Sequence, residues 1–183
     1  LTSILWRRLD VPGHDACRLA AGADGWTLDG TAVFIEGGAV SRLAYSLVCD
    51  SGWRTRKGRV HGWIGERSVD LSVVRGSDGS WTLNDEPARL SDACADLDLG
   101  FTPASNLTQI RRLALAEGQA ADVRVAWLDA DAGTLDVLFQ RYERRTEDTY
   151  WYESPRFAYS ALLEVTSAGF VRRYPGLWDA ELA

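Results

Sequence analysis

The chain is poor in the residues that most sites of chemistry are built from. Its 183 residues hold two histidines, His14 and His61, and three cysteines, Cys17, Cys49 and Cys94, and of its 20 cationic side chains only Lys57 is a lysine. No C-x-x-C pair occurs, so a zinc site has no ligand spacing to start from, and neither a metal nor a cofactor is expected. An odd number of unspaced cysteines reads as small apolar thiols in a reducing compartment, which makes cytoplasmic the expected location. No stretch approaches the roughly 18 apolar residues of a spanning helix. The start "LTSILWRRLD" lacks a basic segment followed by a long apolar one, so no stable membrane insertion is expected. There is no Gly-x-Ser-x-Gly elbow and no phosphate-cradling glycine loop. The net charge of -6 argues against nucleic acid as a partner and against purely electrostatic docking on anionic lipid. A local basic patch stays open, because the cations are nearly all arginine.

What is present has a period of two. In "SRLAYSLVCD" Leu43, Tyr45, Leu47 and Cys49 share one face, with Arg42, Ser46 and Asp50 opposite. "VDLSVVR", "VRVAWL", "TLDVLFQRYER" and "FAYSALLEV" alternate likewise. Turn signals separate the runs: "EGG" at 36–38, "DSG" at 50–52, "GSDGS" at 76–80, "DADAG" at 129–133 and "SAG" at 167–169. The pattern predicts a mainly β chain folded as one domain over residues 1–183, an antiparallel meander or barrel. Short helices are placed at 13–22 and 86–95. "DGWTLDGTAVFI" at 24–35 echoes "DGSWTLNDEPARL" at 78–90, which suggests a duplicated hairpin or only recurrent turn chemistry. Eight tryptophans suit core layers first, and also sugar stacking or lipid contact.

Residues 92–113, "DACADLDLGFTPASNLTQIRRL", concentrate polar groups. "DLDLG" fails as a calcium loop, because position five would be Gly100 and position twelve Leu107. Asp96 and Asp98 stand two apart, on one side of a strand. Two such carboxyls repel, and burial would raise one of them as hydrolases require. They can equally pair with Arg111 and Arg112 beyond the Thr102-Pro103 turn. If "QIRRLAL" is a strand, Arg111 shares a face with Leu113 and Leu115, and Arg112 with Ile110 and Ala114. One guanidinium then lies among apolar neighbours and needs a carboxylate, carbonyls or an anionic ligand.

"DLDLGFTPASN" at 96–106, followed by "IRRL" at 110–113, resembles the signature of the bacterial glycolipid-binding family, once a domain of unknown function. "LWRRLDVPG", "WTLDGTAVF", "RLAYSLVCDSGWRTR", "AWL", "QRY", "YWYES" and "RRYPGLW" extend the resemblance along nearly the whole chain. Ser105 stands where threonine is usual, and 107–109 lack the proline usual before Ile-Arg-Arg. The resemblance implies an antiparallel curved sheet or incomplete barrel with an apolar cavity. It supports a non-enzymatic binder of a small amphipathic ligand, a lipid or glycolipid. Arg111 or Arg112 would anchor the head group, and Tyr45, Trp53, Trp127 and Tyr142 would line the site. Asp96, Asp98, Thr102, Pro103 and Asn106 form the structural signature. Two alternatives stand beside this reading. One is a hydrolase or isomerase using Asp96 or Asp98 as general base. The other is a structural barrel in which Asp98 pairs with arginine and the Asn106 side chain caps the turn. Oligomeric state is left open.

Overall fold

A computed structural model describes residues 2–90 and 94–181. Eight strands form the first half: β1 Thr2–Arg8, β2 Gly13–Gly22, β3 Gly25–Glu36, β4 Ala39–Asp50, β5 Thr55–Ile64, β6 Arg67–Arg75, β7 Trp81–Leu83 and β8 Glu86–Ala88. A two-residue strand, β9 Leu97–Asp98, leads to a 3-10 turn at Pro103–Ser105 and the helix α1 Asn106–Leu113. The second half holds β10 Ala120–Asp129, β11 Thr134–Arg144, β12 Thr149–Ser154, β13 Tyr159–Val165, β14 Val171–Tyr174 and β15 Trp178–Ala180. No helix among the described residues is long and apolar enough to cross a membrane.

The strands make one sheet in the order β8-β7-β6-β5-β4-β3-β2-β1-β15-β14-β13-β12-β11-β10-β9. It is not closed into a barrel. The ends of the chain therefore meet at its centre, where Trp6 faces Ala180 and Arg8 faces Trp178. Two wings spread from there, antiparallel throughout except for the parallel pair β9–β10. Alternation sets the inner face, as the sequence predicts: Leu43, Tyr45, Leu47 and Cys49 of β4 are buried.

The segment from Cys94 onward runs between the wings and holds them together. Thr55 on β5 donates its backbone N–H to Ala95 O at 2.9 Å, and Leu97 donates back to Thr55 Oγ1 at 3.0 Å. Trp81 Nε1 and Arg75 Nε both donate to Cys94 O. On the other side Ala126 of β10 donates to Asp96 O at 2.9 Å. Leu97 packs over Gly58, where an added Cβ would overlap its Cδ2.

Three local expectations change. Residues 13–22 are the strand β2, with Asp15, Cys17 and Leu19 pointing inward, because pairing on both edges outweighs the helical preference of its alanines. Of 86–95, residues 86–88 are β8 and 91–93 lie outside the described residues. "QIRRLAL" is not a strand: Gln109 to Leu113 belong to α1. The 3-10 turn that leads into it was signalled by Thr102, whose hydroxyl accepts from Ala104 N at 3.0 Å, and by Pro103 in its first turn. The helix ends where Ala114 turns left-handed and donates to Ile110 O. The two echoed Trp-Thr-Leu segments start unlike strands, the 12-residue β3 and the 3-residue β7.

Gly30 shows how tightly the inner face is fitted. It sits opposite Tyr45 across β3–β4, and a Cβ there would overlap the phenol carbon and oxygen of Tyr45. Gly30→Ala should therefore lower stability by about 1–3 kcal/mol by overpacking. Urea unfolding measures this, and a neutral result would mean that the ring has another place to go.

Candidate functional site

The signature residues occupy the interior between the wings, and each does something different. Asp96 is fully buried and receives Arg112 through Nε at 2.9 and 3.0 Å and through Nη2 at 2.6 Å. Burial pushes the Asp96 carboxyl upward, and the guanidinium fork opposes that rise. Asp98 is not paired with arginine. It accepts from Gly100 N at 2.8 Å and Gln140 Nε2 at 2.7 Å, with Ser105 Oγ at 3.5 Å. Burial raises its carboxyl, and these three donors work against the rise. Asn106 does not cap the turn. Its amide donates to Tyr142 Oη at 2.8 Å, and Thr102 does the capping.

A third buried carboxyl was not marked by the sequence. Asp15 on β2 is fully buried and accepts from Tyr45 Oη at 3.1 and 3.0 Å and from the Thr102 hydroxyl. Burial lifts its carboxyl from an ordinary 3.8 to about 6, while the Thr102 and Tyr45 hydroxyls pull it down. The inward phase of β2 was the available signal, since Asp15 alternates with Cys17 and Leu19.

Next to the signature lies a cavity of about 320 Å³. Asp98, Gly100, Thr102, Pro103 and Asn106 form one side of it. The lining is otherwise largely aromatic: Trp127 on β10, Tyr152 on β12, Phe157 in the following turn, Tyr159 on β13, Tyr174 on β14 and Trp178 on β15. Tyr152, Tyr159 and Tyr174 form a mutually contacting set, with ring centroids 5.3 to 6.3 Å apart. Burial raises all three phenols, Tyr159 to about 12, so they stay protonated and serve as hydrogen-bonding groups. Phe157 is 52% exposed and marks the open side. Gly100, at φ +67, is required: a Cβ there would come within 2.7 Å of Trp127 Nε1.

The residues marked by sequence as ligand-binding do not gather around one space. Trp127 lines this cavity. Tyr45 is committed to Asp15, and Tyr142 is fully buried behind Asn106. Arg112 is committed to Asp96. Arg111 points elsewhere, with its guanidinium 5.4 Å above the ring of Trp53, which stacks on Trp26 at 4.5 Å. Arg111 and Trp53 border a separate cavity of about 450 Å³ with Arg144 and Tyr150. The helix explains the split. Consecutive residues on α1 diverge by about 100°, so the two adjacent arginines leave the helix in different directions. Phe157 and Tyr159 fall in the alternating run "FAYSALLEV", and Tyr174 and Trp178 in "RRYPGLW", but nothing local aims the four at a common point. Among the described residues no cluster of His, Cys, Asp and Glu is arranged to hold a metal ion.

A curled, unclosed antiparallel sheet with an aromatic cavity beside a polar central segment defines the class of protein. Residues 3–180 match the family model described as "Putative glycolipid-binding", and the chain belongs to that family. It is also similar to the crystal structure of a DUF1089 family protein from Pseudomonas aeruginosa, the same family. That match has 29% identity and a TM-score of 0.79, and covers 90% of this chain and 91% of the other. Among curated proteins none matches the chain.

Two measurements probe the buried carboxyls. Arg112→Leu would leave Asp96 buried without its partner and should cost about 3 kcal/mol or more, most of it recovered in the Asp96→Leu/Arg112→Leu double variant. Unfolding of the three variants decides this, and an Arg112→Leu protein as stable as wild type would contradict the staple. The Asp15 carboxyl binds its proton more tightly folded than unfolded. Its contribution is complete below the unfolded value of 3.8 and is lost as pH rises through about 6. Relative to Asp15→Asn, the wild type should gain up to about 3 kcal/mol as pH falls from about 8 to about 4. A constant difference across that range would show that Asp15 titrates normally.

Proposed function

We infer that the chain binds a small amphipathic molecule of the lipid or glycolipid class, with the apolar part of the ligand in the aromatic cavity. The observation that carries this reading is the lining itself. Trp127, Tyr152, Phe157, Tyr159, Tyr174 and Trp178 surround about 320 Å³, at the lower end of the range of ligand pockets. The polar groups that face it are few, and Asp98, Thr102 and Asn106 among them are held in place by their own hydrogen bonds, as expected of a site that orients a ligand without reacting with it. The family description supports the same class. Arg111 and Arg112 do not serve as head-group anchors in this reading, since the first stands over Trp53 and the second is forked onto Asp96.

One observation favours a second reading. Asp98 borders the cavity, its carboxyl is raised by burial, and no arginine neutralises it. A carboxyl so placed can move a proton to or from a bound molecule, which is the requirement of a general acid or base. Against this, Gly100 and Gln140 donate to its oxygens and favour the charged form, which weakens it as a base.

Native mass spectrometry of protein purified gently from its own host, followed by organic extraction, tests both readings. A stoichiometric lipid that is recovered intact after prolonged incubation is the expected result. A lipid converted to a cleaved or isomerised product by wild type but not by Asp98→Asn would favour catalysis. Protein that is always recovered without ligand, and whose Trp fluorescence no amphiphile changes, would refute binding.

A further inference from the structure

Arg8 is the side chain that the functional reading above leaves unexplained. It lies on the inner face of β1, two residues after the fully buried Trp6, and its side chain is only 12% exposed. Nε and Nη2 grip Asp10 at 2.8 and 3.0 Å. Nη1 is buried and has no hydrogen-bond partner. A buried charged donor left without an acceptor is costly, on the order of 1–3 kcal/mol or more, and such groups often mark a place where a ligand or an ordered molecule belongs.

Its surroundings are built to hold the guanidinium in place. It stacks 4.9 Å from the ring centre of Phe34 and 5.5 Å from that of Trp178. Trp178 is its cross-strand partner, whereas Phe34 is two strands away on β3. Gly13 on the intervening β2 pairs with Phe34, and a Cβ there would come within 2.6 Å of Phe34 Cβ. The missing side chain is the gap across which Arg8 reaches. "LWRRLDVPG" supplies Arg8, Asp10 and Gly13, "WTLDGTAVF" supplies Phe34, and "RRYPGLW" supplies Trp178. Three stretches far apart in the chain thus meet at one cation.

Arg8 borders a second cavity of about 330 Å³. Gly100, Trp127 and Phe157 line both this cavity and the aromatic one, so the two adjoin across those residues, and Trp178, under the guanidinium, lines the aromatic one. The charge around the second cavity selects its occupant. Asp10 already neutralises Arg8, and Asp129 and Asp131 stand on the same wall. Asp131 is engaged by Arg67 at 2.8 Å, and Asp129 accepts from the backbone of its own turn. A phosphate or carboxylate would enter against these carboxylates with a cation already paired. An uncharged group rich in hydroxyls meets no such opposition: it can accept from Nη1 once the guanidinium turns that buried donor toward the cavity, donate to the aspartates and rest on Trp127 and Phe101.

We propose that Arg8 and the cavity it borders form the head-group subsite of the binding site, selecting an uncharged glycosyl group whose apolar substituent enters the adjoining aromatic cavity. This rests on the amphipath reading above. It assigns the polar end to a residue outside the 92–113 signature.

The test uses octyl glucoside, 1-octanol and octyl phosphate below their aggregation limits, read by calorimetry and Trp fluorescence on the full chain. Wild type should bind octyl glucoside about tenfold or more tighter than 1-octanol. Arg8→Gln should remove that gain and leave 1-octanol unchanged. Asp10→Asn, at a position one-third exposed, serves should Arg8→Gln fail to fold, and should weaken the glucoside about threefold. If neither 1-octanol nor the glucoside binds, the amphipath reading itself fails. If 1-octanol binds but the glucoside gains nothing, or its gain survives these substitutions, the head-group subsite is overturned while the aromatic cavity stands. Octyl phosphate binding more tightly than the glucoside, and more tightly still to Asp131→Asn, would overturn the uncharged class.

Discussion

A sheet of fifteen strands that curls without closing has an interior that its own side chains do not fill, and the structure depends on how that space is occupied. Cys94 to Leu113 is the filling. Its backbone is bonded to β5 on one wing through Thr55 and to β10 on the other through Ala126. Those bonds fix the spacing of the wings away from the β1–β15 junction, where the sheet itself joins them. A buried connector must also satisfy every polar group that it carries inward. That requirement explains the density of carboxyls, hydroxyls and amides around it: Asp96 for Arg112, Asp98 for Gln140, Asn106 for Tyr142 and Thr102 for Asp15.

The same requirement separates two carboxyls that look equivalent. Asp96 faces the end of α1, where an arginine in the last turn also suits the helix dipole. Asp98, two residues on, is held by neutral donors and borders a cavity. One is a staple and the other a wall of the site. The distinction comes from what each wing presents to the connector, since nothing in their positions on either side of Leu97 distinguishes them.

The site is asymmetric between the wings. The aromatic cavity takes its tyrosines and tryptophans from β10 and β12–β15, and the first wing contributes Phe34, Leu43 and Ile64 to the adjoining space beside Arg8. Both cavities reach the centre of the sheet, where β1 meets β15, one through Trp178 and the other through Arg8. That junction pairs the two ends of the described chain, so the shape of the site depends on contacts of very high sequence separation. Trp6 Nε1 donating to Val171 O at 2.6 Å is one such contact.

Much of this was legible in the residues. Period-two alternation names the strands and their buried faces, Leu43 to Cys49 among them, because each side chain's face is set locally by the pleat. Turn chemistry places the breaks, "DADAG" at 129–133 included. The carboxylate–arginine pairing was foreseen in kind, and Asp96–Arg112 realises it. The helix was missed although Thr102-Pro103 signals the turn that leads into it, because "QIRRLAL" satisfies both periods over so short a run. By itself, then, the sequence determined which residues turn inward and that a polar segment must be satisfied there. Only the tertiary structure decided that Arg112 is consumed while Arg8 is left with a donor to spare, and that Trp127, Tyr159, Tyr174 and Trp178 converge. Convergence depends on how far the sheet curls and which strands its ends join, and those are properties of pairings between residues more than a hundred positions apart, which no local pattern encodes.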